Sequence, residues 1–338
     1  MRQTGEQEYH SSLPSNNNLL VSITRRCRVK LVGGHKGPDG RDGVGTTELV
    51  SRARSTGPTL LGWREWVLDV MERKNPGKAR CVVVARDLSA VQSLAVSLAT
   101  RVGRLQLDQR HQVTEIQTKA HANDLVSQVD FASEKLIVDA VIDAFPGDSI
   151  LGEEGSDVTG HNGWQWVVDP LDGTLNYLTG AGPWSVSIAL QHQQETVLGV
   201  VHDPAIGETF TAIAGEGATL NDRPIRVSAA VTLAESIIGF SYNPSLPTKR
   251  RLGPLLAGLL PVIGDIRRVP AALGLSYLAA GRFDGSLILN TKPWDIAASE
   301  MIAREAGAKV SSPSAAITEM AIFAGPGLLD DMVTAVSR

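Results

Sequence analysis

The segment Trp166-Val-Val-Asp-Pro-Leu-Asp-Gly-Thr-Leu-Asn176 decides how this chain is read. Gln165 to Val168 form a short apolar strand, and Pro170 breaks it where two carboxylates appear. Asp169 and Asp172 can face one place, Gly173 lets backbone approach an anion, and Thr174 opens a helical turn whose free N–H groups attract negative charge. Taken alone, an Asp-x-x-Asp of this kind is more often a capped turn than a chemical centre.

Working outward, other acids also fall at element boundaries. A helix is expected from Phe131 to Ala144, stopped by Pro146-Gly147, with Asp130 just before it. The strand Ser149 to Leu151 then leads into Glu153-Glu154. Far downstream, Lys292-Pro-Trp-Asp-Ile-Ala-Ala298 places Asp295 at the start of a helix running on to Gly307. Each has an ordinary reading, a solvated loop for the glutamates and a helix cap for Asp295. Dispersed carboxylates are nevertheless what Mg²⁺ needs, because this hard ion takes one or two per site and keeps water and substrate oxygens in its shell.

The surrounding pattern is that of layered helices and sheets. Leu88 to Val102 repeat at helical spacing with Asp87 or Ser89 as cap, and Trp184 to Gln191 pair with Thr196 to His202. Asn221-Asp222 is expected in a hairpin between Glu208 to Ile213 and Ile225 to Val227. The last third alternates strands (Ser236 to Phe240, Gly285 to Leu289, Ala321 to Ala324) with helices such as Ala271 to Ala280. Residues 1–86 read differently, as a poorly ordered N-terminal extension in which Asn16-Asn-Asn, Gly33-Gly and Gly37-Pro-Asp-Gly interrupt the apolar runs. Only a helix from Trp63 to Met71 and a strand from Arg80 to Val84 are expected there.

Composition narrows the partners. The chain has 338 residues, 43% of them hydrophobic, enough for a substantial core. Its net charge of -4 offers no broad basic field for nucleic acid or a membrane surface, so a small-molecule partner is expected. Residues 1 to 60 alone are basic, with nine Lys/Arg against five Asp/Glu, a pattern more typical of a solvated tail than of a nucleic-acid arm. Cys27 and Cys81 suggest neither a disulfide framework nor a thiolate cluster. The apolar stretch Leu255 to Ile263 is far short of the roughly 20 residues that cross a bilayer, and the polar start lacks the order of a secretory signal, so the expected location is the cytoplasm. There is no Gly-x-Ser-x-Gly or His-Glu-x-x-His, and the seven histidines are scattered, which argues against serine and zinc hydrolases.

Together the acidic segments have a family character. Residues 87–335 resemble the inositol monophosphatase family of metal-dependent phosphatases, on the strength of the 166–176 and 292–298 segments. Smaller matches follow in family order: Lys119 with Asp124-Leu-Val-Ser-Gln-Val-Asp130, Leu151-Gly-Glu-Glu154, Gly215-Glu-Gly-Ala218, and Asn221 with Ile225-Arg-Val-Ser228. The resemblance implies an α/β fold, the alternating αβαβα sandwich shared with fructose-1,6-bisphosphatase, in which 87–230 is the metal- and phosphate-binding half and 231–335 the C-terminal half.

The same resemblance implies hydrolysis of a phosphate monoester, inositol 1-phosphate foremost, with two or three Mg²⁺ ions (Mn²⁺ may substitute). Glu153, Asp169 and the backbone carbonyl of Leu171 would hold one ion, and Asp169, Asp172 and Asp295 a second, with Glu153 touching a third. Thr174, supported by Asp130, and Glu153 would activate water. Gly173, Thr174 and Lys119 would bind phosphate, and Ala271 and Asp295 the alcohol. Beside this resemblance, Glu154 is expected to be structural, because adjacent residues on an extended segment point opposite ways. A homodimer and inhibition by Li⁺ are also implied.

The chain departs from the family pattern at the alcohol side. It has Val269-Pro270 where many relatives carry Gly-Ser or Gly-Thr, and Ile288 where animal inositol monophosphatases place a Glu. Histidinol phosphate, fructose 1,6-bisphosphate and 3'-phosphoadenosine 5'-phosphate are therefore rival substrates. Lys249-Arg-Arg251 and Arg267-Arg268 are candidates for a second phosphate, although a solvated surface is the commoner role of such runs. A non-catalytic, RNA-associated regulator is the alternative from another class.

Overall fold

The structure is a computed structural model that describes residues 86–119, 124–230, 232–243, 245–311 and 320–337, together with the backbone of five strands before residue 86. Two compact units are present, Met1–Gly62 and Trp63–Arg338. The first carries an antiparallel sheet of β1 (Leu19–Thr24), β2 (Arg28–Lys36) and β3 (Asp42–Val50), in that order. Glycines that read as breaks lie inside it, with Gly33 opposite Gly45, so ladder pairing holds strands that propensity alone would not. Apart from these strands, the strands at Trp66–Asp69 and Val82–Ala85, and Arg86, the extension expected to be poorly ordered lies outside the described residues, as do Cys27 and Cys81.

In the second unit, β4 (Trp66–Asp69) is a strand where a helix from Trp63 to Met71 was expected. It pairs antiparallel with β5 (Val82–Ala85), whose three valines favour a ladder and override the helical spacing. Asp87 then caps α1 (Leu88–Gln109) by accepting from the N–H groups of Ser89 and Ala90. β6 (Ile116–Thr118) and β7 (Leu125–Ser127) form a small ribbon that leads directly into α2 (Gln128–Ala144). This helix starts three residues earlier than expected, because Ser127 and Asp130 form a capping box.

β8 (Ser149–Gly152), β9 (Trp164–Asp172), α3 (Thr174–Thr179), β10 (Ser185–His192), β11 (Glu195–Asp203), β12 (Glu208–Ile213), β13 (Gly217–Leu220) and β14 (Arg223–Ile225) follow. The strands make one seven-stranded sheet in reverse chain order, antiparallel except for β8 on β9. The hairpin turn at Asn221-Asp222 joins β13 to β14 rather than β12 to β14, and both residues have positive φ, as a tight two-residue turn demands. β15 (Ile237–Tyr242), α4 (Leu246–Leu259), β16 (Asp265–Arg268), α5 (Ala271–Ala279), β17 (Gly285–Leu289), α6 (Pro293–Glu305), β18 (Lys309–Ser311), β19 (Met320–Ala324) and α7 (Leu329–Val336) complete the chain. Their five strands form a mixed sheet ordered β16-β15-β17-β19-β18.

Three apolar cores bind these layers. Val91, Leu98 and Ile137 of α1 and α2 pack on Trp166, Val168 and Ile188 of the larger sheet. Leu273, Leu275 and Ile302 of α5 and α6 fill the space between the two sheets with Val201 and Phe323. Leu259 and Met332 of α4 and α7 cover the outer face of the smaller sheet with Leu287 and Ile322. The result is the expected αβαβα sandwich. Among the described residues, no helix is long and apolar enough to cross a membrane.

Candidate active site

The 166–176 segment acquires its shape from a bulge. β9 does not end at Pro170: Asp169 lies opposite Ser187 and Asp172 opposite Ser185, so Pro170 and Leu171 together face one residue of β10. β8 pairs only as far as Val168, which leaves Pro170 on an edge where its missing N–H costs no ladder bond. The bulge puts Asp169 and Asp172 beside one cavity of about 300 Å³. Asp169 accepts from the N–H of Leu171 at 3.0 Å, and Asp172 accepts from the N–H of Ala272, at the start of α5, at 2.8 Å. Gly173 turns the chain at φ +98°, with Pro270 packed against it.

Behind this strand, α2 holds Asp130 fully buried. Its Oδ2 accepts from the N–H and hydroxyl of Ser127, and its Oδ1 lies 2.9 Å from the hydroxyl of Thr174. Thr174 also lies 3.1 Å from the carbonyl of Leu171. One hydroxyl has one proton, and the shorter, charge-assisted contact to Asp130 is the stronger.

Glu153 comes from the turn after β8, where its N–H donates to the carbonyl of Val168. Asp295 comes from the first turn of α6 and accepts from the N–H of Lys292 at 2.7 Å, so it is a helix cap and a site residue at once. Oxygens of Glu153, Asp169 and Asp295 all lie within 4.8 Å of one another. Glu153 and Glu154 do not point opposite ways, since the turn lets both reach Lys119, at 2.9 and 2.8 Å. Lys119 is therefore engaged with glutamates rather than lining the cavity.

Crowded carboxylates disturb one another. Burial, reinforced by Glu153, holds Asp169 well above the usual carboxylate range, and burial with Asp295 does the same to Asp172. Asp295 is pushed up to about 7, chiefly by burial. Glu154 is likewise raised to about 7 by burial, against the pull of Lys119. Burial opposes the charge on Lys119, but Glu153 and Glu154 outweigh it and raise the ammonium above its ordinary value. A cation placed among Glu153, Asp169 and Asp295 would relieve this repulsion. Their all-oxygen donor set suits Mg²⁺ or another hard divalent ion.

The cavity wall around Val269–Ala271 is built differently from the sequence-based expectation. Ile288 is buried in the core between the sheets and does not line the cavity, whereas Thr291, Tyr242 and Asn243 do. Val269, Pro270 and Ala271 line it as well. Of the basic runs, Lys249 and Arg268 reach the cavity, with the Arg268 guanidinium 4.7 Å from the ring centre of Tyr242, while Arg267 pairs with Asp265 instead. Sequence reading missed Ser127 and Glu134; only Ser127 carried a readable signal, its capping-box spacing to Asp130.

Fold and site together define a layered α/β protein with an acidic pocket suited to cations. The profile of the inositol monophosphatase family matches residues 87–333, and the chain belongs to that family. It is 41% identical over 229 residues to an inositol-1-monophosphatase of Rhizobium meliloti, covering 66% of this chain and 77% of that one. It is 37% identical over 232 residues to Nus factor SuhB of Pasteurella multocida, covering 66% and 85%. Among solved structures, the extragenic suppressor protein suhB of Bartonella henselae superposes with a TM-score of 0.70 at 34% identity, covering 74% of this chain and 99% of that one.

Proposed function

We propose that this chain is a Mg²⁺-dependent phosphomonoesterase acting on a small polyol or sugar phosphate, inositol 1-phosphate foremost. The observation that carries the reading is the convergence of Glu153, Asp169 and Asp295 oxygens within 4.8 Å, beside a threonine hydroxyl held by a buried aspartate. In this reading Glu153, Asp169 and the carbonyl of Leu171 hold one ion, and Asp169, Asp172 and Asp295 a second. Bound Mg²⁺ supplies positive charge against the phosphoryl oxygens and makes water easier to deprotonate.

The protein's own groups do the rest. Thr174 donates its hydrogen bond to Asp130, which leaves the hydroxyl lone pairs free to accept from a water and aim that water at phosphorus. Glu153 orients the same water, and Lys119 in turn orients Glu153. The backbone of Gly173 and Thr174 receives phosphate oxygens. Asp295 and the backbone of Ala271 contact the alcohol.

The Nus factor SuhB name of one relative favours a second reading, a regulatory protein that has kept the scaffold. The complete set Glu153, Asp169, Asp172, Thr174 and Asp295 supports the catalytic one. Phosphate release from inositol 1-phosphate, histidinol phosphate, fructose 1,6-bisphosphate and 3'-phosphoadenosine 5'-phosphate, with and without EDTA, tests it. Turnover of inositol 1-phosphate that EDTA abolishes is expected; no turnover of any of the four would favour the regulator.

A further inference from the structure

Asp130 and Glu134 stand one helical turn apart on α2, a spacing that puts both on one face. Asp130 reaches Thr174. Glu134, fully buried, reaches the other side of the site, where its Oε2 accepts from the N–H of Glu154 at 2.8 Å and its Oε1 from the N–H of Ser156 at 2.9 Å. These two N–H groups belong to the turn that carries Glu153. Space around the carboxylate is tight: a Cβ on Gly152 would lie 2.6 Å from Oε2.

No Lys or Arg pairs with Glu134 among the described residues. For stability alone, a well-packed apolar side chain commonly serves as well as a buried charge. What a carboxylate adds is two fixed acceptors for backbone N–H groups that no strand or helix satisfies, since residues 153–156 form an irregular turn. The N–H of Glu153 itself donates to the carbonyl of Val168, so three anchors, at 153, 154 and 156, fix the backbone of this turn, two of them on the Glu134 carboxylate.

We propose that Glu134 is a positioning residue that sets the direction of Glu153 and thereby the affinity of the site for divalent cations. The inference rests on the proposed metal-dependent function. It assigns to α2 a double task, in which one helix face aligns both the threonine and the glutamate of the site.

The test is Mg²⁺ binding to the full chain, measured by titration calorimetry, alongside the Mg²⁺ dependence of phosphate release. Glu134→Gln keeps the shape but turns an amide N–H₂ toward one backbone N–H. It is expected to weaken Mg²⁺ binding about tenfold or more, the usual size of an effect exerted through a ligand's supporting partner. Asp148→Asn, which also alters a buried carboxylate but one that does not line the cavity, is expected to lower the melting temperature and leave Mg²⁺ affinity unchanged. If Glu134→Gln does not fold, Glu134→Asp, which keeps the charge but withdraws it by one methylene, is measured in its place with the same expected direction. A folded variant with wild-type Mg²⁺ affinity overturns the inference, as does failure of both variants to fold, which a purely structural role would explain. A wild-type chain that binds no Mg²⁺ would instead overturn the function on which the inference rests.

Discussion

The hydroxyl of Thr174 lies 2.9 Å from Oδ1 of Asp130, joining the turn after β9 to the first turn of α2. The bond fixes where the threonine lone pairs face, and in the proposed mechanism these orient the attacking water. Thr174→Val removes the hydroxyl and keeps the shape. It is expected to lower kcat about a hundredfold or more with little change in KM or melting temperature. Asp130→Ala is expected to lower kcat and, by uncapping α2, to cost about 1 kcal/mol of stability as well. Steady-state kinetics and thermal melts on the two variants separate these effects.

Gly173 is held in the left-handed region at φ +98°, and a Cβ there would lie 2.7 Å from Cγ of Pro270. Gly173→Ala therefore meets both a backbone penalty of about 1–2 kcal/mol and a clash. Loss of phosphate release with lowered stability is expected. Adding Pro270→Ala removes the clash but not the backbone penalty, so only part of the stability should return. Full recovery would show that φ at this turn does not matter.

Protons and cations compete for the same oxygens. Burial raises Asp295 to about 7, and Asp169 and Asp172 also lie above their ordinary values. A carboxyl raised in the folded state contributes stability that is present below its unfolded value and is lost as pH rises through the folded one. The chelated protein should therefore lose this contribution between about pH 4 and pH 7, and divalent cations should restore stability at the upper end. The gain in melting temperature on adding Mg²⁺ is expected to grow from pH 5.5 to pH 8. A gain independent of pH would contradict a cation among these carboxylates.

Arg86 donates two hydrogen bonds to Asp148, at 2.5 and 2.8 Å, and its guanidinium lies over Phe145 and Trp164. The Asp148 side chain is wholly buried and also accepts from Asn162 and Trp166. Removing the arginine leaves that charge short of partners, at a cost of about 3–5 kcal/mol. A chain starting at residue 85 is expected to fold and release phosphate, whereas the same chain with Arg86→Met should melt far lower. Unfolding of the first would place the segment before residue 85 in the structural core.

What was legible in the sequence had local causes. Asp169, Asp172, Thr174 and Asp295 stand out because short spacing and helix starts set their directions, and the layered fold follows from alternating apolar periods. Less legible features depend on partners distant in the chain. Pro170 reads as a strand end until the bulge opposite Val186 is seen. Glu153-Glu154 reads as an extended pair until the turn is seen in which Glu134 accepts from the N–H of Glu154 and both glutamates reach Lys119. Ile288 stood in for the substrate side of the pocket, but the register of β17 on β15 and β19 buries it. Strands β2 and β3 are not legible because their glycines, Gly33 opposite Gly45 among them, sit inside a ladder that propensity does not foresee.

The metal requirement tests the central claim most directly. Protein stripped with EDTA and assayed for phosphate release from inositol 1-phosphate should be inactive and should recover on titration with Mg²⁺, while Asp172→Asn and Asp295→Asn stay folded and recover little. Turnover by the stripped wild type at an undiminished rate would contradict the account.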